Sequence, residues 1–368
     1  MQRDRDLLLY SATDLIQYNQ SEFASWSDRL ELEQPSAISV PAKEDELLEA
    51  LCQLGSEYET KFIRSLAESG ANIYKIEQRG TYNLTIDAMT AGYDYIYQAA
   101  LKDDGFIGYA DLMVRVDVPS NLGNWSYIPL ECKLALTPRP DFVLQACTYC
   151  DLLASVQGIR PAEFQLLLGS GEIQTHPTEQ YFYYYQRVRQ SFLEFMSAFD
   201  ADAMPMPTPG DDRHGRWQDY ANTILLDRDH LSQVANITRS QIRKLETAGI
   251  TTFKQLASID PALKIPHLNP VVLSRLVAQA RLQQATISTG IVNYETIAPP
   301  APDLRQGLAI LPPSSPLDVY FDMEGYPLVH GGLEYLFGAI IEDAAAEKGL
   351  TFYDWWAHNE TQEQQAFE

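Results

Sequence analysis

The sequence predicts a mixed α/β protein, and three observations carry that expectation. Residues 1 to about 210 alternate strand signals with helix signals. Residues 211–296 show helix caps and helical spacing without strand runs, and a new strand begins at 318. Between them, residues 297–317 contain Pro299, Pro300, Pro302, Pro312, Pro313 and Pro316, which reads as a linker. The expected organisation is therefore an α/β domain over 1–210, a helical region over 211–296, a Pro-rich linker over 297–317 and a second α/β segment over 318–368. Fifty or so residues are few for an independent α/β domain, so this last segment is expected to be the first part of a larger one.

Composition sets the class. Hydrophobic residues make up 45% of the 368 and charged residues 21%, a globular mixture. No apolar run approaches the roughly 20 residues of a membrane span, and Leu7–Tyr10 is too short for the apolar part of a signal peptide. A soluble, cytoplasmic protein without a membrane partner is expected. The four cysteines, Cys52, Cys132, Cys147 and Cys150, form no secreted disulfide pattern. Cys147-x-x-Cys150 falls on a helix, and no second Cys/His pair follows it at metal spacing, so buried thiols are expected there. The formal charge of −23 argues against a broad nucleic-acid clamp, which works by neutralising phosphates. A carboxylate-based metal site and a local basic strip remain compatible with it.

The first chemical constellation lies on two strands. Ile107–Val116 reads as a strand with Asp111, Met113 and Arg115 on one face. Residues 117–126 contain Pro119, Asn121, Gly123 and Asn124 and read as a connecting loop. Tyr127–Leu134 reads as the second strand. Ile128, Leu130, Cys132 and Leu134 share one face, and Glu131 and Lys133 the other. Adjacent strands can join Asp111 to Glu131, and paired carboxylates suit a hard divalent cation such as Mg²⁺ or Mn²⁺. Lys133 is then placed to position water or to offset charge on a phosphate. The competing reading is a solvated strand face with a Glu–Lys pair and an unrelated aspartate.

After Pro138-Arg-Pro-Asp, a helix is expected from about Phe142 to Gln157, stopped by Gly158. Gln145 and Tyr149 are four apart and share one of its faces. In the helical region, Thr238/Gln241 and Thr252/Gln255 form capping boxes, Gly249 fits a helix stop, and Asn269-Pro270 opens a helix over 271–284. Helices meeting at Ala248-Gly249-Ile250 resemble a helix-hairpin-helix module. That makes Arg239, Arg243 and Lys244 candidate phosphate ligands, against the alternative of ordinary surface charges on a packing domain. In the last segment, Asp322-x-Glu324 lies on a first strand, with Tyr335–Ile341 and Leu350–Trp356 as the next two.

Taken in order, Asp111, Glu131-Cys-Lys133 and Gln145-x-x-x-Tyr149 resemble the RecB-like branch of the PD-(D/E)XK nucleases. Within it, the chain is most similar to proteins that carry an RNase H-like exonuclease domain of the DEDD type downstream. Ser11–Leu15, Gly55-Ser-Glu-Tyr-Glu59 and Thr90–Ala99 extend the resemblance along nearly the whole chain. The resemblance implies a restriction-endonuclease-like core and cleavage of DNA in repair or processing, with a helicase or repair partner unspecified. It implies Asp111 and Glu131 as metal ligands, Lys133 as catalytic lysine, Gln145 and Tyr149 as supporting residues, and Asp322 and Glu324 as part of a second metal site.

Two departures qualify this. Tyr58 stands where such nucleases carry a metal-binding histidine, and a phenol is a poor Mg²⁺ ligand. Glu57 or Glu59 is the substitute, Glu59 preferred, unless both are solvated helix residues. Many relatives also hold a four-iron four-sulfur cluster on four cysteines. The matching places here are Ser21, Asp212, Gly215 and Ala221, so no iron-sulfur cluster is expected, and packing around Trp217 is expected to replace it. These departures keep a second class open: a catalytically impaired nucleic-acid-binding or scaffold protein that retains the nuclease fold.

Overall fold

Regular structure follows the alternation of turn residues and apolar runs. The computed structural model describes residues 1–5, 7–35, 37–38, 46–76, 82–209, 213–297, 307–326, 332–346 and 349–368. Pro299, Pro300, Pro302 and Asp212 lie outside these. The chain divides into two compact units: Met1–Glu44 with Gly55–Asn293, and Asp45–Leu54 with Tyr294–Glu368. The helical region belongs to the first.

The elements of the first unit begin with β1 (Gln2–Asp4) and β2 (Leu7–Leu9), an antiparallel pair. Then come α1 (Ala12–Gln20), α2 (Glu22–Glu33), α3 (Glu46–Glu68, of which the residues up to Leu54 belong to the second unit), β3 (Ile73–Lys75), α4 (Tyr82–Ala91), β4 (Tyr95–Asp103), β5 (Phe106–Val116) and β6 (Ser126–Cys132). They continue with α5 (Pro140–Gln157), β7 (Glu163–Leu167), β8 (Ile173–Pro177), α6 (Glu179–Ser197) and α7 (Gln218–Asp227). The helices α8 (Arg239–Thr247), α9 (Phe253–Ser258) and α10 (Pro270–Thr289) close it. Strands β3 to β8 form one open six-stranded sheet in sequence order. The β3–β4 and β6–β7 pairs are parallel; the others are antiparallel.

Both faces of this sheet are covered, which follows from the apolar content of both faces of β5 and β6. On one face Met113 and Tyr127 pack beneath Ala146, Tyr149 and Cys150 of α5 and the neighbouring α1 and α6. On the other, Leu112, Leu130 and Cys132 pack against Tyr58, Phe62 and Ile63 of α3. Helix α5 stops where expected: Gly158 takes φ +75°, the left-handed conformation that costs glycine no Cβ clash. Its last residue, Gln157, is wholly buried. The amide accepts from Tyr127 N at 2.8 Å and donates to Tyr127 O at 3.1 Å, acting as a strand neighbour for β6.

The start of the chain is clasped to the segment after the core. Phe23, Trp26 and Leu30 of α2 form an apolar cluster with Trp217 and Ala221. Ser21 Oγ lies 2.6 Å from His214 Nδ1, and Trp217 Nε1 donates to Asp28 at 2.8 Å. The helical region has its own apolar cluster, including Leu245, Phe253, Leu256 and Val277. Both expected capping boxes are present, at Thr238/Gln241 and Thr252/Gln255. Helix α10 starts at Pro270 and runs five residues past its expected end, to Thr289, where Gly290 terminates it in the left-handed conformation.

The second unit contains β9 (Val319–Tyr326), β10 (Leu333–Glu342), β11 (Leu350–Trp356) and α11 (Glu360–Phe367). The strands make an antiparallel sheet in the order β11-β10-β9. Among the described residues no helix is long and apolar enough to cross a membrane.

The lysine segment is fixed by a close approach. Lys133 N donates to Leu167 O at 2.8 Å and Gly169 N to Ala135 O at 3.0 Å. A Cβ at Gly169 would fall on the Leu134 carbonyl, well inside van der Waals distance. Gly169→Ala is therefore expected to destabilise the protein by about 1–3 kcal/mol through backbone displacement. Urea denaturation checks this; an unchanged midpoint would show that the approach is not tight.

Candidate active site

The site forms where the β5–β6 ladder ends. Backbone pairing runs from Val116/Ser126 to Leu112/Leu130. One step further, Asp111 stands opposite Glu131, and side chains take over from main chain. Cys132 N donates to Asp111 Oδ2 at 2.9 Å, and Asp111 N to Glu131 Oε1 at 3.3 Å. Each carboxylate thus caps a backbone N–H that the diverging strands leave without a carbonyl.

Lys133 completes the constellation. Its ammonium donates to Glu131 Oε2 at 3.0 Å and Gln145 Oε1 at 3.0 Å, and lies 3.9 Å from Asp111 Oδ2. Gln145 in turn donates to Tyr149 Oη at 3.0 Å, and Tyr149 donates to the Tyr109 carbonyl at 3.0 Å. All five residues expected to act together stand in one connected network under α5. The face bearing Glu131 and Lys133 is not solvated: Glu131 has no exposed surface, and the Lys133 side chain is 16% exposed. The residue spacing places these groups on one face but does not say that a helix covers it.

Electrostatics follow from that burial. Burial, reinforced by the Asp111 charge, pushes the Glu131 carboxyl up to about 8. Burial alone would lower Lys133, but Glu131 and Asp111 outweigh it and hold the ammonium more firmly protonated than usual. Tyr149 is raised well above the ordinary phenol value, chiefly by burial.

In front of the network opens a cleft of about 580 Å³ whose walls include Asp111, Tyr149, Glu59, Tyr97, Gln98 and Lys75. Glu59 of α3 accepts from Tyr97 Oη at 3.2 Å and Gln98 Nε2 at 3.3 Å. Burial and then the Asp111 charge raise its pKa. Glu57 is exposed. The Tyr58 hydroxyl donates to the Leu168 carbonyl, so it ties α3 to the end of β7 rather than facing the cleft group. Tyr97, Gln98 and Lys75 escape sequence reasoning. Gln98 adopts φ +59°, a left-handed conformation costly for a non-glycine residue, at the position facing Asp111 on the neighbouring strand.

Other expected residues distribute as follows. Among the described residues, no group of three or more His, Cys, Asp and Glu side chains is arranged to hold a metal ion. Asp322 and Glu324 lie exposed on β9, and Asp322 Oδ1 accepts from Met323 N at 2.9 Å. Asp354 stands in the same cross-strand row as Asp322, across Gly338. Of the three basic candidates, Arg243 is exposed and Lys244 half-buried, whereas Arg239 Nε is bound to Pro209 O at 3.1 Å. At the places matched to the iron-sulfur cysteines, the Ser21 hydroxyl is bound to His214, and Ala221 is buried beside Trp217. Cys147 and Cys150 are free and buried, and burial pushes the Cys147 thiol up to about 12.

No family model matches the chain, and no curated protein matches it. Among solved structures, one titled "Crystal structure of SSO0001" is similar over 53% of this chain and 78% of that chain, at 14% identity and a TM-score of 0.26. A likeness at that score carries no argument about architecture or activity.

Because Glu131 is raised from an unfolded value near 4.5 to about 8, the folded chain binds more protons between those limits. Stability contributed by neutral Glu131 is present at low pH and falls as pH rises through about 8. In chelator, Glu131→Gln is expected to flatten the decline of the urea midpoint between pH 5 and pH 9. Parallel profiles for the two proteins would contradict a buried, proton-holding Glu131.

Proposed function

We propose that this chain is a divalent-metal-dependent nuclease of the RecB-like PD-(D/E)XK type, hydrolysing phosphodiester bonds of DNA. The observation that carries the reading is the hydrogen-bonded set of Asp111, Glu131 and Lys133 beneath Gln145 and Tyr149, beside a cleft that also holds Glu59. Among the described residues no three acidic side chains are already arranged around a cation, so holding one would require these carboxylates to turn toward each other. Three carboxylates crowd together, Asp111 raises the pKa of both others, and one lysine is the neighbouring cation in the network. Asp111, Glu59 and Glu131 would hold Mg²⁺ or Mn²⁺, which supplies Lewis-acid polarisation of a phosphate and a more acidic water.

The chain's own groups do the rest. Lys133 keeps its proton and offers a fixed positive charge where negative charge develops on the phosphate. Gln145 accepts from that ammonium as Glu131 does, and Tyr149 accepts from the Gln145 amide. Gly108 leaves room for the Tyr149 ring, since a Cβ there would lie 2.6 Å from it.

The second reading is a scaffold or nucleic-acid-binding protein without catalysis. It is favoured by Lys133 sitting against the carboxylates and by Tyr58 being spent on a backbone carbonyl. Cleavage of single-stranded and duplex oligonucleotides with Mg²⁺ or Mn²⁺ separates the two. Lys133→Ala and Asp111→Asn are each expected to lower the rate by about 10²-fold or more. Since Lys133→Ala strands a buried carboxylate, circular dichroism accompanies it, and the less buried Asp111 variant provides the independent test. Undiminished activity in both variants would overturn the site, and binding without cleavage by the wild type would favour the scaffold.

A further inference from the structure

Strands β4 and β5 pair in one register on either side of the position where Gln98 faces Asp111. Side chains of a regular strand alternate between faces, so residues three apart lie on opposite sides. Here they do not. Ile96 and Ala99 both join the core beneath α5, and so do Ala110 and Met113, while Tyr97 and Leu112 pack on the α3 side. Both strands therefore change face at the Gln98–Asp111 pair. The torsion that allows this falls on Gln98, whose φ is +59°; Asp111 keeps an ordinary negative φ. Glycine would adopt that conformation without a Cβ clash, so a glutamine there carries strain. Its side chain goes to Glu59. Gln98 Nε2 donates to Glu59 Oε2 at 3.3 Å, and the hydroxyl of its chain neighbour Tyr97 donates to the same oxygen at 3.2 Å. Adjacent residues of a regular strand point to opposite faces, so the change of face is what lets these two share one acceptor.

We propose that Gln98 is a positioning residue of the hydrolytic site, its amide acting with the Tyr97 hydroxyl to hold the Glu59 carboxylate in the cleft that it shares with Asp111. The inference rests on the hydrolytic reading of that cleft and adds the device that orders one of its acids. Glu59 stands on α3, whereas Asp111 stands on the sheet, so their side chains meet across two layers. A glutamate with three rotatable bonds is ordered there only if something holds it, and two donors on one oxygen restrict it before any ligand arrives. Both donors take Oε2, which leaves Oε1 without a hydrogen-bond donor among the described residues. A mere tie between α3 and β4 does not call for the strained residue, because Tyr97 already makes one from an ordinary strand conformation.

Two variants on the full chain separate the amide from the backbone. Gln98→Gly removes the amide and relieves the torsion, whereas Gln98→Ala removes the amide and keeps the torsion. In chelator, the urea midpoint of Gln98→Gly is expected to lie above that of Gln98→Ala, since only glycine escapes the Cβ clash. Binding of Mn²⁺ without nucleic acid, read from the electron paramagnetic resonance of the free ion, is expected to weaken by about tenfold in both variants alike. Cleavage of an oligonucleotide at limiting Mg²⁺ is expected to fall with it, and saturating Mg²⁺ to restore part of the rate. Tyr97→Phe removes the other donor to Oε2 and is expected to weaken Mn²⁺ binding in the same direction. Wild-type Mn²⁺ affinity in both Gln98 variants would overturn the proposal. So would a loss that follows the urea midpoint, present in Gln98→Ala and absent in Gln98→Gly, because the role would then be structural. A wild type that cleaves while its Gln98 variants are unaffected sinks the positioning role alone. A wild type that neither binds Mn²⁺ nor cleaves sinks the hydrolytic reading and the positioning role together.

Discussion

A carboxylate removed from water must be met by donors, and the core of this protein is arranged around Glu131, which has no exposed surface. One oxygen takes the Asp111 N–H where the β5–β6 ladder ends, and the other takes the Lys133 ammonium. Burying that ammonium requires a further acceptor, which α5 supplies through Gln145. Gln145 and Tyr149 are then held in turn by the Tyr109 carbonyl of β5. The chain of donors starts and ends on the same strand, and moving α5 would break the links through Gln145 and Tyr149. Such a network is costly to leave half made, which ties the register of β5 and β6 to the seating of the helix.

The same burial explains why the site is electrostatically poised. Removing Glu131 from water disfavours its charged form, and the Asp111 charge adds to this. Lys133 offsets part of the penalty but is itself engaged by three groups. Glu59, across the cleft, responds to Asp111 in the same direction as Glu131. Three acids around one lysine are more than the lysine offsets, so Glu131 and Glu59 hold their protons more firmly than exposed carboxyls do. Gln98 meets the same cluster, since its left-handed backbone faces Asp111 and its amide reaches Glu59.

How much of this was legible in the chain follows from what residue spacing can carry. The two-residue period put Asp111 on one face of its strand and Glu131 with Lys133 on one face of the next, and Gln145 with Tyr149 on one face of a helix. Gly158 and the two Thr/Gln capping boxes mark ends through local chemistry, and local chemistry survives folding. Spacing does not say what covers a polar face, so the total burial of Glu131 was not legible. Nor were Tyr97, Gln98 and Lys75, which join the cleft through sheet neighbours and a backbone torsion rather than a motif. Tyr58 follows the same logic: its place in the motif is local, but its partner, the Leu168 carbonyl, is 110 residues away.

The helical region shows a similar division between sequence and structure. Arg239, Arg243 and Lys244 look equivalent by composition and adjacency, yet the fold spends Arg239 on a carbonyl thirty residues upstream. His267, distant in sequence, takes its place beside the other two. Net charge is equally blunt, because −23 is the sum of a basic stretch and a strongly acidic remainder. The acids around Lys133 and the cations of α8 lie on separate parts of the chain, so the overall charge describes neither local field.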